Sequence, residues 1–331
     1  FKMKNILLLL VFILPIYSCG LSSAELKATS VVKENIKPNV SYIFSEKKDL
    51  DVKLANIKQN FSTTKANNKV YIIGGTNANA ILTDNEVFDL NDLSIKSNAS
   101  IQSSKIDFSS VFFNNSIYVI GGFNVSSRLN EIDSYDIQKD LWEKKSPILT
   151  KRRGLGSIVV DNKIYAIGGN ISDSEWSDDI EYYETENDLW RRLTSMGTKR
   201  SSFSIASINN KIYIIGGENN TGVLDKVEEY NIKTDKWKEK LSLPEPILGG
   251  RIVIIDDYIL IIGGKDKDKK PLKSTYIFNT TNNTWTKGAD LEEAMDSFGL
   301  AYDSEKKKIY IFGGARNGVV TDKITSYTIS Q

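Results

Sequence analysis

Residues Leu155–Arg192 read LGSIVVDNKIYAIGGNISDSEWSDDIEYYETENDLWRR. Strand-forming residues run from Leu155 to Asp161 and from Lys163 to Ile167, around a two-residue turn. Gly168-Gly169 and a longer loop follow, then Ile180 to Tyr183, a short turn, and Leu189 to Arg192. Four short apolar runs bounded by turn residues predict four β-strands, called a to d here. The pattern recurs. Gly-Gly pairs begin at Gly74, Gly121, Gly168, Gly216, Gly263 and Gly313, spaced 47, 47, 48, 47 and 50 residues apart. One such unit cannot bury both of its faces, so a period of this size predicts a propeller.

A second feature keeps the same beat. Tyr135, Tyr183, Tyr230 and Phe278 each precede a tryptophan by seven residues: Trp142, Trp190, Trp237 and Trp285. In the first unit Phe88 keeps its place and Ile95 replaces the tryptophan. This succession of apolar strand, Gly-Gly, aromatic and tryptophan resembles the kelch repeat. The resemblance covers residues 41–331 and implies an all-β, six-bladed kelch-type β-propeller with four antiparallel strands per blade around a central channel. Glycine permits close backbone approach at the end of strand b, and the aromatics suit the wedge between blades. Both are read as scaffold.

The sixth unit has its strand c aromatic, Tyr327, but no strand d after it. Phe44–Asn56 resembles Tyr135–Ser146, with Asp51 where the tryptophan would fall. The expectation is therefore that residues near Leu50 to Ala55 form the outer strand of the last blade and close the ring, leaving no open sheet edge.

Of 331 residues, 43 are basic and 42 acidic, which predicts no nucleic-acid partner. There is no histidine. Ser-His-Asp and Cys-His catalysis are thereby excluded within one chain, as are histidine-ligated metals, and no cofactor or metal is expected. The single cysteine, Cys19, ends an apolar run from Ile6 to Tyr17 preceded by Lys2 and Lys4. Twelve helical residues rise about 18 Å, short of a hydrocarbon core of about 30 Å, so residues 1–18 read as a signal peptide. Ile16-Tyr17-Ser18-Cys19 resembles a bacterial lipobox. That resemblance implies acylation of Cys19, with residues 19–40 as lipidated cysteine and flexible tether. The expectation is an exported, membrane-anchored lipoprotein facing the periplasm or cell surface, monomeric, and touching the membrane through its anchor alone.

Strand direction alternates, so the short a–b and c–d turns share one face, and the longer b–c and d–a loops share the other. Variable loops on a rigid scaffold are where recognition concentrates. Candidate ligand-binding residues on that face are Trp176, which stands outside the repeat, and Arg128, Arg152, Arg200, Arg251 and Arg316, whose guanidinium forks suit a carboxylate. The structural counterparts are the favoured readings: a loop plug for Trp176, and ion pairs between blades for the d–a arginines. The leading expectation is a non-catalytic module recognising a protein or a glycan in the cell envelope. Kelch-type propellers also include copper-dependent galactose oxidases, excluded here by the absence of histidine, and bacterial sialic acid mutarotases. A mutarotase-type enzyme is the alternative, with Glu218 as its carboxylate.

Overall fold

The computed structural model describes residues 41–331. The expected signal segment, Cys19 and the tether lie outside the described residues. Six four-stranded antiparallel sheets make up the regular structure, with small hairpins between them. The quoted stretch folds as Gly156–Val160, Lys163–Ile167, Ile180–Glu184 and Leu189–Arg192, paired in chain order. The innermost strands are Ser62–Ala66, Ser109–Phe113, Gly156–Val160, Ser204–Ile208, Arg251–Ile255 and Gly299–Asp303. Each adjoins the next, and the last adjoins the first, so the ring is closed.

Turn chemistry explains the hairpins. Both residues of Asn114-Asn115, Asp161-Asn162 and Asn209-Asn210 have φ between 45° and 62°, as a two-residue type I′ turn demands. In the last blade the turn is longer. The Asp303 carboxylate accepts from the Glu305 and Lys306 amides at 3.1 Å, holding the insertion that widens the final interval.

Ring closure follows the expected route with a different register. Ile43–Lys53 runs antiparallel to Lys323–Ser330, so the outer strand begins earlier than Leu50 and stops at Lys53. Ser45 pairs with Thr328 and Lys48 with Ser326, which puts Glu46 and Lys47, not Asp51, across from Tyr327. The strand also carries a bulge there: Glu46 has φ 50°, and two residues face the single Tyr327. Phe44 packs against Tyr327 at 6.0 Å between centroids, while Leu50 and Val52 join the cluster between the last blade and the first.

The aromatic pairs hold the outer seams. Strand c ring and tryptophan lie 4.8 to 5.0 Å apart in blades two to five. Each indole N–H then donates across the seam to the preceding blade: Trp142 to the Ala99 carbonyl (2.7 Å), Trp190 to Ser146 (2.9 Å), Trp237 to Thr194 (3.2 Å) and Trp285 to Leu241 (2.9 Å). Where strand c carries tyrosine, its hydroxyl donates to an aspartate five residues on: Tyr135 to Asp140 (2.6 Å), Tyr183 to Asp188, and Tyr230 to Asp235 (2.7 Å). Asp140 and Asp188 also accept the amides of Ala99 and Ser146 on the neighbouring blade. Phe278 has no hydroxyl, and Asn283 stands in the aspartate position. Among the described residues no turn after Tyr327 supplies an acceptor, and its hydroxyl is buried without a hydrogen-bond partner.

The Gly-Gly pairs hold the inner seams. Gly121 has φ +62°, and a Cβ there would lie 2.8 Å from the Arg152 carbonyl oxygen. Gly122, at φ +105°, donates its N–H to that same carbonyl at 3.0 Å. The equivalent bond recurs from Gly169 to Arg200, Gly217 to Ile247, Gly264 to Met295, and across the closure from Gly314 to Lys58, at 2.9 to 3.0 Å. Side chains at this repeat position turn inward. Lys58 pairs with Glu86, Lys105 with Asp133 (2.6 Å), Arg152 with Glu181 (3.1 Å) and Arg200 with Glu228. All four cations are 0 % exposed, so their charge must be met inside the protein. In the last two blades the positions hold Ile247 with Tyr276 and Met295 with Thr325; cation and acid are replaced together.

Two outcomes follow. Arg200→Ala strands the Glu228 carboxylate in the seam and is expected to cost about 3–5 kcal/mol in denaturant unfolding, whereas Arg200→Met with Glu228→Thr, the pairing of blade six, recovers most of that loss. Deleting the chain through Lys53 exposes Lys323–Ser330 as an edge and removes the Phe44, Leu50 and Val52 contacts. A fall in Tm of about 10 °C or more, read by calorimetry, is expected; an unchanged Tm refutes the closure role.

Candidate functional site

The d–a loops converge on one end of the channel. Asn60, Asp107, Gly154, Ser202, Gly249 and Ser297 occupy one repeat position there, and all have left-handed φ between 53° and 67°. Backbone bonds link successive members, from Gly154 N–H to the Asp107 carbonyl (2.7 Å), Ser202 to Gly154 (2.7 Å) and Gly249 to Ser202 (2.8 Å). One step inward come Ser62, Ser109, Gly156, Ser204, Arg251 and Gly299. All of these but Gly299 line a cavity of about 320 Å³, with Phe61, Phe108, Leu155, Phe203, Ile205 and Ile252 among its apolar walls.

Two charged residues break the rings' pattern of small polar residues. Arg251 stands alone among serines and glycines. Its Nε donates to the Phe298 carbonyl at 2.5 Å, its guanidinium lies 6.0 Å from the Phe298 ring centroid, and it forms no ion pair among the described residues. Burial pushes it down to about 10, which leaves it charged at neutral pH. Asp107 is the other exception. Its nearest cation is Arg153, 3.8 Å away and stacked 5.0 Å over the Phe123 ring. Burial pushes the Asp107 carboxyl up, against the opposing pull of Arg153; Glu218 adds to the rise and Lys265 reduces it. Lys265, also on the cavity wall, is paired with Asp296 at 3.1 Å.

The other candidates read from the sequence lie elsewhere. Arg152 and Arg200 are the seam cations described above, fully buried. Arg316, on the b–c hairpin of the last blade, donates to Thr325 Oγ1 at 2.6 Å and lies 3.7 Å from Glu293 and 3.9 Å from Asp49, so it braces the outer strand that closes the ring. Arg128 grips the neighbouring b–c loop through Asn170 (2.8 and 2.9 Å) and Asp173 (2.8 Å). Glu218 pairs with Lys269 on the next b–c loop at 2.7 Å. Trp176 is half-buried, and its indole N–H donates to Ser201 Oγ of the next blade at 3.1 Å.

Of the candidates, Arg251 alone lines the cavity. Asp107, Lys265 and Asp296 were not anticipated. A signal existed for Asp107: aligning the six repeats places it in a column otherwise of Asn, Ser and Gly. Nothing local distinguishes Lys265 or Asp296 from other loop charges.

Comparison with known families agrees with this geometry. A family model described as the KLHDC2/KLHL20/DRC7 Kelch-repeats domain matches residues 60–251, more than half of the chain. A Kelch motif model matches residues 248–292. Comparison with the curated proteins gave no match. With six Gly-Gly seams, four-stranded blades and these matches, the chain belongs to the kelch-repeat family.

Proposed function

We propose that this propeller is a non-catalytic interaction module, exported and anchored through an acylated Cys19, whose b–c/d–a face receives a protein partner. The observation that carries the reading is Arg251: a charged guanidinium without a carboxylate partner among the described residues, lining the cavity at the channel mouth. Kelch domains generally serve protein interaction. Two aliphatic loop tips on the same face, Val125 at 85 % and Val319 at 69 % exposure, suit a protein surface. A glycan partner would call for an aromatic platform, and the one loop tryptophan, Trp176, is tied to Ser201.

The mutarotase-type alternative draws little from this arrangement. Its carboxylate, Glu218, is ion-paired to Lys269 and is not among the residues lining the cavity that holds Arg251.

A photo-reactive residue at Val125 or Val319 is expected to crosslink one envelope protein in cells. The same residue at Asn209, on the opposite face, should not. Crosslinking from Asn209 alone would reverse the assignment of the face. Anchoring is read separately: incorporation of a fatty-acid analogue that survives in Cys19→Ala shows that Cys19 is not the acylated residue.

A further inference from the structure

The charged walls of the channel mouth belong to opposite sides of the ring. Asp107 enters the second blade and Arg251 begins the fifth, three steps apart in a closed ring of six. Both line the same cavity of about 320 Å³. The inner-ring hydroxyls are engaged: Ser62 with Ser110 (2.7 Å), Ser109 with Ser157 (2.7 Å), and Ser204 with the Gly250 carbonyl (2.7 Å). Lys265 is neutralised by Asp296. Recognition therefore falls to the two charges left under-compensated, a guanidinium with only a carbonyl partner and a carboxylate with one cation at 3.8 Å.

A lone anion drawn to Arg251 meets the Asp107 carboxylate across the cavity, and a lone cation meets the opposite conflict. A molecule carrying both charges satisfies both walls. We propose that the channel mouth binds a small zwitterion, an amino-carboxylic acid whose carboxylate meets Arg251 and whose ammonium meets Asp107. The walls are electrically coupled, since Lys265 on the Arg251 side is felt at Asp107. Ile205 and Ile252, with the Phe108 and Phe203 rings, offer apolar contact for a methylene chain joining the two charges. Charge-assisted bonds at both ends supply affinity, and the mutual position of the walls supplies selection by length.

The test titrates the full chain calorimetrically with straight-chain amino acids from glycine to 6-aminohexanoic acid, beside butylamine and butyrate. One chain length is expected to bind about tenfold or more tightly than either single-charge compound. Arg251→Met should bind that amino acid no better than butylamine. Asp107→Asn, which keeps a residue at ease with left-handed φ, should bind it no better than butyrate. If no amino acid outperforms the single-charge compounds on the wild-type protein, or if both variants retain the preference, the proposal fails. No partner protein enters the titration, so its outcome is independent of the crosslinking result.

Discussion

The bond from the second glycine of a pair to a carbonyl of the next blade, made at five of the six pairs, is the contact on which the ring depends. It needs a strand to end against a neighbouring backbone at a distance no Cβ permits, with φ values that disfavour any other residue. The residue that supplies the carbonyl also supplies the buried cation at Lys58, Arg152 and Arg200. Backbone closure and side-chain burial are thus set at one position, and an error in either is felt across two blades.

That coupling explains the pattern of substitution between repeats. Four seams carry a cation with an acid, and two carry an apolar side chain with a neutral one. Mixed seams do not occur, because a buried charge without its partner costs more than the pair contributes. Tyrosine and the turn aspartate follow the same logic on the outer seam, where Phe278 loses hydroxyl and acid together. Tyr327 is the exception, since the outer strand of its blade arrives from the other end of the described chain and brings no c–d turn.

Most of the fold was legible along the chain. The Gly-Gly period, the aromatic–tryptophan spacing and the unfinished sixth unit foretold blades, seams and closure. The register of the closing strand was not legible, because none of its residues is fully buried and so no hydrophobic mark fixes the pairing. Among candidate site residues, loop position did not separate Arg251 from Arg152 or Arg200. All three are arginines at or near a d–a loop, yet one lines the cavity and two lie under the seams.

Sequence by itself determined what the residues do to their immediate neighbours: glycine at the strand ends, asparagine in the tight turns, rings in the wedges, and no histidine for proton transfer. Those are local requirements, and they repeat because each blade solves the same packing problem. Tertiary structure alone decided which charges are spent within the scaffold and which remain at the channel mouth. Asp107 and Arg251 are 144 positions apart and share a cavity only because a closed ring of six sets the second blade opposite the fifth.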